Sequence, residues 1–276
     1  MSHFENYQNV SQFYENTRTA VGVDIIRNHL ENGELPINKQ LLVDAGCGTG
    51  LYSAALVNHV RKIEAIDLNA GMLKIAKEKM GSEEKKGLIN FYISSIDSLP
   101  LDNDTVDAVM INQVLHHLPD NFNGGWYHHE KVFKEFWRVL KSGGILIINS
   151  CSPEQIECGF WFYNLIPDAK QEMTKKVINL SDMNNLLKKC GFSNTVQEVY
   201  MDLVLQSDAY FNYDGIFNAE WRSGDSIWSL VPEKILSEVL KKADKMHKEG
   251  ELDAYLKHHD QIRKTTGQVT FSISKK

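Results

Sequence analysis

Short apolar runs alternate with amphipathic stretches through the first half of the chain. Residues 40–44 form a brief hydrophobic run that stops at a glycine cluster, which predicts a strand entering a tight turn. Residues 51–60 have helical spacing; 62–67 read as a second strand and 70–80 as a second helix. Residues 88–94 and 106–111 predict two more strands. Residues 130–140 read as a helix stopped by Ser142-Gly143-Gly144, and 145–150 as a continuous apolar strand. Runs apolar on both faces, alternating with helices, predict an α/β fold with a doubly wound, mostly parallel sheet.

The second half keeps this rhythm less strictly. Residues 181–190 read as a helix with Ser181 as N-cap and Gly191 past its end. Residues 195–205 predict a strand, and the alternating 268–274 a last, seventh one. Between them, residues 206–264 look helical and are too many for a loop, so they predict a cap inserted before the last strand. The domain organisation expected is a single domain over 1–276. Its core would span about 38–205 plus 268–274, with an N-terminal lid over 1–36.

Composition narrows the classes. Hydrophobic residues are 42% and charged residues 24%, ordinary for a soluble globular protein. No apolar run approaches the roughly 20 residues of a membrane span, and the N-terminus lacks the pattern of a secretory signal. Cys47, Cys151, Cys158 and Cys190 show no CxxC spacing and read as cytosolic thiols, so a cytoplasmic protein with no membrane partner is expected. The net charge of −6 argues against a nucleic-acid substrate.

The strongest motif is Leu41-Leu42-Val43-Asp44-Ala45-Gly46-Cys47-Gly48-Thr49-Gly50. A strand runs into glycines at alternate positions and then into a helix, which lets a ligand approach the backbone closely. Asp67 ends the next strand, where doubly wound folds bind ribose hydroxyls. A dinucleotide site would need a small residue where Leu51 stands. Asp44 leads the motif instead, and a carboxylate there suits a ligand with a positive amino-acid end.

VDAGCGTG followed by IDLNAGML resembles the first two motifs of class I S-adenosylmethionine-dependent methyltransferases. SSIDSLPLDNDTVDAVMINQVLHHL resembles their next motifs, and RVLKSGGILIIN their following helix and fifth strand. The likeness covers about residues 38–150 and is greatest to the group containing quinone-biosynthesis and arsenite methyltransferases. It implies a Rossmann-like sheet and S-adenosyl-L-methionine as cofactor. It also implies that Gly46, Cys47 and Gly48 back the methionine part, that Asp67 holds the ribose, and that Leu68 and Met72 pack on the adenine. Family members carry an Asp five residues before the Pro of an L-P pair to accept from the adenine amino group; here that position is Ser95. Either Ser95 makes a weaker contact beside Ile96, or Asp97 substitutes. Tyr14 and Arg18 resemble an N-terminal element that folds over the cofactor, where Arg18 would clamp the methionine carboxylate.

Methyl transfer from a sulfonium is an in-line displacement in which the protein chiefly supplies position. Asn112, Gln113, His116 and His117 follow the fourth strand, where ligands bind. His117, or His116, is the candidate general base; the alternative is that both shape the cofactor loop. His128 and His129 form a second pair, but neighbours on a helix point apart and no metal is expected. Trp126, Cys151, Trp161, Tyr163, Tyr210 and Tyr213 are the expected pocket residues, suited to a flat ring or a cationic amine. Thiolate binding of a metalloid through Cys151, Cys158 and Cys190 is a special alternative without a matching spacing. The leading expectation is methylation of a small-molecule acceptor in a capped, aromatic-rich pocket. The rivals are an RNA or protein methyltransferase, a non-catalytic cofactor-binding regulator, and a dinucleotide oxidoreductase.

Overall fold

The computed structural model describes residues 19–276. Tyr14 and Arg18 therefore lie outside the described residues. The strands are β1 (Leu41–Ala45), β2 (Lys62–Asp67), β3 (Ile89–Ile93), β4 (Val106–Asn112), β5 (Leu140–Ser150), β6 (Ser193–Val199) and β7 (Thr270–Lys275). They form one seven-stranded sheet of order β3-β2-β1-β4-β5-β7-β6. β1 to β5 pair in parallel, and β7 lies antiparallel between β5 and β6. The chain winds outward from β1 to β3 and then returns to β4. The order thus reverses between β1 and β4, and the carboxyl ends of these two strands open a crevice there.

The helices are α1 (Val23–Glu31), α2 (Leu51–Leu56), α3 (Ala70–Lys79), α4 (Gly81–Lys85), α5 (Tyr127–Val139), α6 (Pro153–Cys158), α7 (Pro167–Lys176), α8 (Leu180–Lys189), α9 (Ala219–Ser223), α10 (Glu233–Lys248) and α11 (Leu252–Thr266). Strand residues alternate between faces, and so the described residues bury two apolar clusters. Leu42, Ile63, Met110 and Ile147 face α1 and α2, with Ile26, Leu30 and Leu56 against them. Val43, Ile66, Val109 and Ile148 face α5 and α8. α5 forms because His129, Val132, Phe133, Phe136 and Val139 fall on one helical stripe, and all five are buried. Each large apolar side chain so buried contributes about 1.5–3 kcal/mol.

Several local readings need correction. The helix over 51–60 stops at Leu56. Gly143 and Gly144 do not follow a helix stop; α5 ends at Val139 and β5 starts at Leu140. The glycines sit inside a register shift of β5 against β4. A side chain on Gly143 would strike the Glu34 carboxylate. The cap of α8 is Asn179, which accepts from the Asp182 amide at 2.8 Å, so Ser181 lies inside the helix. β6 ends at Val199 and the chain turns before Leu205. The segment 206–264 is helical, but it opens with short 3-10 turns at Ser207–Phe211, Tyr213–Phe217 and Ser226–Leu230 before α10 and α11. Arg263 on α11 is buried with Asp260 at 2.6 Å and donates to the Met201 carbonyl at 2.8 Å, tying the insertion to the end of β6.

The turn after β1 is tightly enclosed on one side. Gly46 has φ 75°, and a Cβ there would lie 2.7 Å from Val114 Cγ2. Gly48 has φ 54° but open space around it. Gly46→Ala is expected to cost about 2–4 kcal/mol, from the left-handed backbone and the clash together. Gly48→Ala should cost only about 1–2 kcal/mol, the backbone part alone. Urea unfolding of both variants measures the difference; equal costs would mean that Val114 does not wall the turn.

Candidate active site

Asp67 ends β2 with its carboxylate held from two sides. It accepts from the Gly48 amide at 2.8 Å and from the Asn69 amide at 2.7 Å. Asn69 caps α3 through the Gly71 and Met72 amides. The glycine turn and the start of α3 therefore fix this carboxylate at the mouth of the crevice. Burial raises its pKa, partly offset by the backbone hydrogen bonds.

Asp44 lies deeper, at 2% exposure. Its partner is the Ser53 hydroxyl on α2, which donates at 2.7 Å. Burial pushes its pKa up to about 7, and the neighbouring Asp67 adds to the rise. Burial and both carboxylates likewise push the Cys47 thiol up, so it stays protonated and inert. Leu68 is 43% exposed beside this floor, whereas Met72 is buried. On the far wall Ile96 is buried and Ser95 half-buried. Asp97 turns outward to Lys131 Nζ at 2.8 Å, and the Lys131 and Ser95 side chains together hold its carboxyl below the ordinary range.

The carboxyl ends of β4 and β5 carry a hydrogen-bonded chain. Gln113 adopts a left-handed backbone with φ 55°, a conformation that costs a non-glycine residue energy. Its amide N–H donates to the Asn149 carbonyl at 2.8 Å, and its side-chain Nε2 to Asn149 Oδ1 at 2.9 Å. Asn149 Nδ2 donates to the Tyr52 hydroxyl at 3.1 Å, which donates to the Val21 carbonyl at 3.0 Å. Cys151 Sγ lies 3.5 Å from Gln113 Oε1. Asn112 is the register partner of Asn149, and both polar atoms of its buried amide lack a protein partner among the described residues. Gln113, Asn149 and Cys151 thus converge on one spot at the carboxyl ends of β4 and β5.

His116 and His117 sit on the short turn Leu115–His117 with ring centroids 4.0 Å apart, and this turn packs against α7. His128 and His129 do converge, both on Asp120. Asp120 accepts from His128 Nδ1 at 2.7 Å, from His129 Nδ1 at 2.8 Å and from the His129 amide at 2.8 Å. Burial lowers the His129 pKa, which keeps that ring neutral. Among the described residues no group of three metal-type ligands occurs. Asp120 was missed in the sequence because its partners come after an irregular loop; an acid placed before a helix beginning Tyr-His-His is the one signal.

Of the expected pocket residues, Trp161, Tyr163 and Tyr210 meet in one aromatic body with Phe162, Trp221 and Trp228. The Trp161 indole donates to the Tyr210 carbonyl at 2.8 Å. Tyr213 packs at its margin. Trp126 is not with them; it packs edge-on against His129 at 4.9 Å, over the other face of the sheet. Gln206 and Asp225 join the aromatic body unannounced by any motif, with the Tyr163 hydroxyl 3.1 Å from Asp225 Oδ1.

Residues 43–148 match a family model described as a methyltransferase domain. A demethylmenaquinone methyltransferase of Clavibacter sepedonicus is 28% identical over 145 residues, covering 51% of this chain and 55% of that protein. A malonyl-[acyl-carrier protein] O-methyltransferase of a Methylovorus species is 28% identical over 174 residues, covering 59% and 54%. The chain thus spans about half the length of the curated relatives it matches. A solved putative methyltransferase from an antibiotic biosynthesis pathway of Anabaena variabilis superposes with a TM-score of 0.73 at 20% identity, covering 94% of this chain and 99% of that one. That likeness gives the fold across the cap as well as the sheet. The glycine turn, the acid closing β2 and the family match coincide on one segment: residues 43–148 carry a class I, S-adenosylmethionine-dependent methyltransferase domain.

Proposed function

We propose that the protein transfers a methyl group from S-adenosylmethionine to a small-molecule acceptor held beneath the cap. The observation that carries this reading is the Asp67 carboxylate, oriented by the Gly48 and Asn69 amides where a ribose would lie. The two curated relatives are named for different acceptors, a quinone and a carrier-bound malonyl group, so their names fix no acceptor here. The net charge of −6 argues against an RNA substrate, and all four cysteines are thiols, which fits the cytoplasm. Among the described residues no helix is long and apolar enough to cross a membrane. We read the chain as one functional unit, with 206–264 as the cap and residues 1–36 as an N-terminal lid whose α1 packs on the sheet.

The cofactor supplies an activated methyl on a sulfonium, lost by in-line displacement. Gly46 and Gly48 back the methionine part, Asp67 holds the ribose hydroxyls, and Leu68, Met72, Ser95 and Ile96 take the adenine. Asp44 and Asn112 face the amino-acid end, where Arg18 would pair with the carboxylate. Asp97 is committed to Lys131 and leaves the adenine contact to Ser95. Where the acceptor holds a proton at its reacting atom, His117 accepts it.

Four outcomes test this. Radiolabel from the cofactor should pass to a component of a metabolite extract, and Asp67→Ala should weaken cofactor binding by about 1.5–3 kcal/mol, or roughly tenfold to a hundredfold. Unchanged affinity in a folded variant would take Asp67 out of the site; binding without transfer would favour a regulatory protein. Asp44, with its pKa near 7, is largely protonated below neutrality without ligand. A ligand ammonium favours the ionised form, so binding should release a proton and tighten as pH rises from about 6 to 8. Calorimetry in buffers of differing ionisation enthalpy measures this, and no proton release would mean that Asp44 does not meet the ligand. His117→Gln should lower turnover roughly 10²–10⁴-fold with cofactor affinity kept. Near-normal turnover would make His117 a structural part of its turn.

A further inference from the structure

Tyr52, Gln113 and Asn149 join the two halves of the sheet across its reversal. Tyr52 lies on α2, the helix that the glycine turn starts, whereas Gln113 follows β4 and Asn149 stands near the end of β5. A single row of hydrogen bonds connects them. The Cys151 thiol donates to Gln113 Oε1 at 3.5 Å, and Gln113 Nε2 to Asn149 Oδ1 at 2.9 Å. Asn149 Nδ2 donates to the Tyr52 hydroxyl oxygen at 3.1 Å, and the hydroxyl proton goes on to the Val21 carbonyl at 3.0 Å. Every donor in the row points the same way, and hydrogen bonds in series strengthen one another. Turning over the Asn149 amide alone would set its nitrogen against the Gln113 nitrogen, donor against donor, so the two amides hold each other's orientation. Asn149, at the centre, is 1% exposed, so a bond lost there leaves a buried polar atom without its partner.

Gln113 needs holding. Its φ of 55° is unfavourable for a residue with a side chain. Its amide N–H donates to the Asn149 carbonyl at 2.8 Å, so Asn149 grips it by main chain and side chain together. The left-handed turn in its place governs the crevice. Val114 follows it and lies against Gly46, where an added Cβ would meet Val114 Cγ2 at 2.7 Å. The other end of the row is anchored in the core. Val21 is buried, and an atom added to Gly22 beside it would strike the Phe271 ring on β7. Tyr52 therefore links a fixed point to a strained one.

We propose that Tyr52 and Asn149 are positioning residues for cofactor binding, acting through the left-handed backbone of Gln113. With the row intact, the β4 turn keeps Val114 against the glycine turn, and the crevice keeps the shape that S-adenosylmethionine needs. With the row broken, Gln113 relaxes toward an ordinary negative φ, Val114 leaves Gly46, and affinity falls while the fold persists. This rests on the cofactor site proposed above and extends it to two side chains that act at one remove.

The test titrates the full chain with S-adenosylhomocysteine by calorimetry and follows the unfolding of each variant in urea. Tyr52→Phe removes only the hydroxyl, and Gln113→Met keeps the side-chain length without its polar atoms. Each should weaken binding about fivefold to tenfold, and the two together no more than either alone, because both break the same row. Gln113→Gly removes the same polar atoms but takes a positive φ without cost, so it should bind within about twofold of the unsubstituted chain. A side chain that merely stabilised the fold, or that touched the cofactor, would make glycine at least as damaging as methionine. Unchanged affinity in Tyr52→Phe, additive losses in the double variant, or equal losses in Gln113→Gly and Gln113→Met overturns the proposal. If Tyr52→Phe does not fold, the glycine and methionine pair decides alone. If the unsubstituted chain does not bind S-adenosylhomocysteine, the cofactor site itself falls and the proposal with it, which separates the two failures.

Discussion

The chain leaving β1 has a passage one glycine wide. Val114 closes it on one side at Gly46, and Met80 on the other at Gly50, where added side-chain atoms would collide. Val114 stands there because Gln113 bends left-handed at the end of β4 and throws the following residues back across β1. The glycine turn and the β4 loop therefore define each other. Between the walls, Gly48 is open to the crevice and uses its N–H to aim Asp67. The sheet reversal creates a crevice in any doubly wound fold. In this one, the narrow passage decides which backbone atoms line it.

That geometry concentrates negative charge. Asp44 and Asp67 lie close enough for each to raise the other's cost of ionisation, and Cys47 between them is held as a neutral thiol. Among the described residues, the partners of the two carboxylates are the Ser53 hydroxyl and the Gly48 and Asn69 amides, none of them a cation. A buried carboxylate without a cation is unfavourable unless it is protonated or meets one. The floor is thus matched to a ligand that brings positive charge with it, as a sulfonium amino acid does. The cap is the opposite environment: aromatic, with few polar atoms, each specifically placed.

Much of the sheet was legible because strands buried on both faces write themselves as continuous apolar runs, as Leu42 and Val43 or Ile145 to Ile148 show. The glycine turn at the crevice was legible for a different reason. Gly46, Gly48 and Asp67 are local in sequence and have few alternatives that satisfy the same backbone. Gly143-Gly144 misled because a glycine pair signals equally a helix stop and a strand irregularity, and only the distant Glu34 distinguishes them. The cap was legible in kind but not in detail, since 3-10 turns such as Ser226–Leu230 are too short to leave a period. Gln206 and Asp225 were invisible because they meet each other and Tyr163 across irregular chain, and Asp120 because an irregular loop separates it from His128 and His129.

The placement of β7 has a consequence for how the molecule is assembled. β5 and β6 are separated in the finished sheet by a strand that follows both of them in the chain, after α10 and α11. During synthesis the two strands emerge with a gap between them that neither can fill. Their facing edges keep unsatisfied backbone groups until residues 270–275 slide in antiparallel to both. The long sequence separation between β5 and β7 makes that closure a slow, late event. Until it happens, the half-built sheet exposes the edges most able to pair with another chain, and a chaperone that shields them would act on β5 and β6 rather than on β1 to β3.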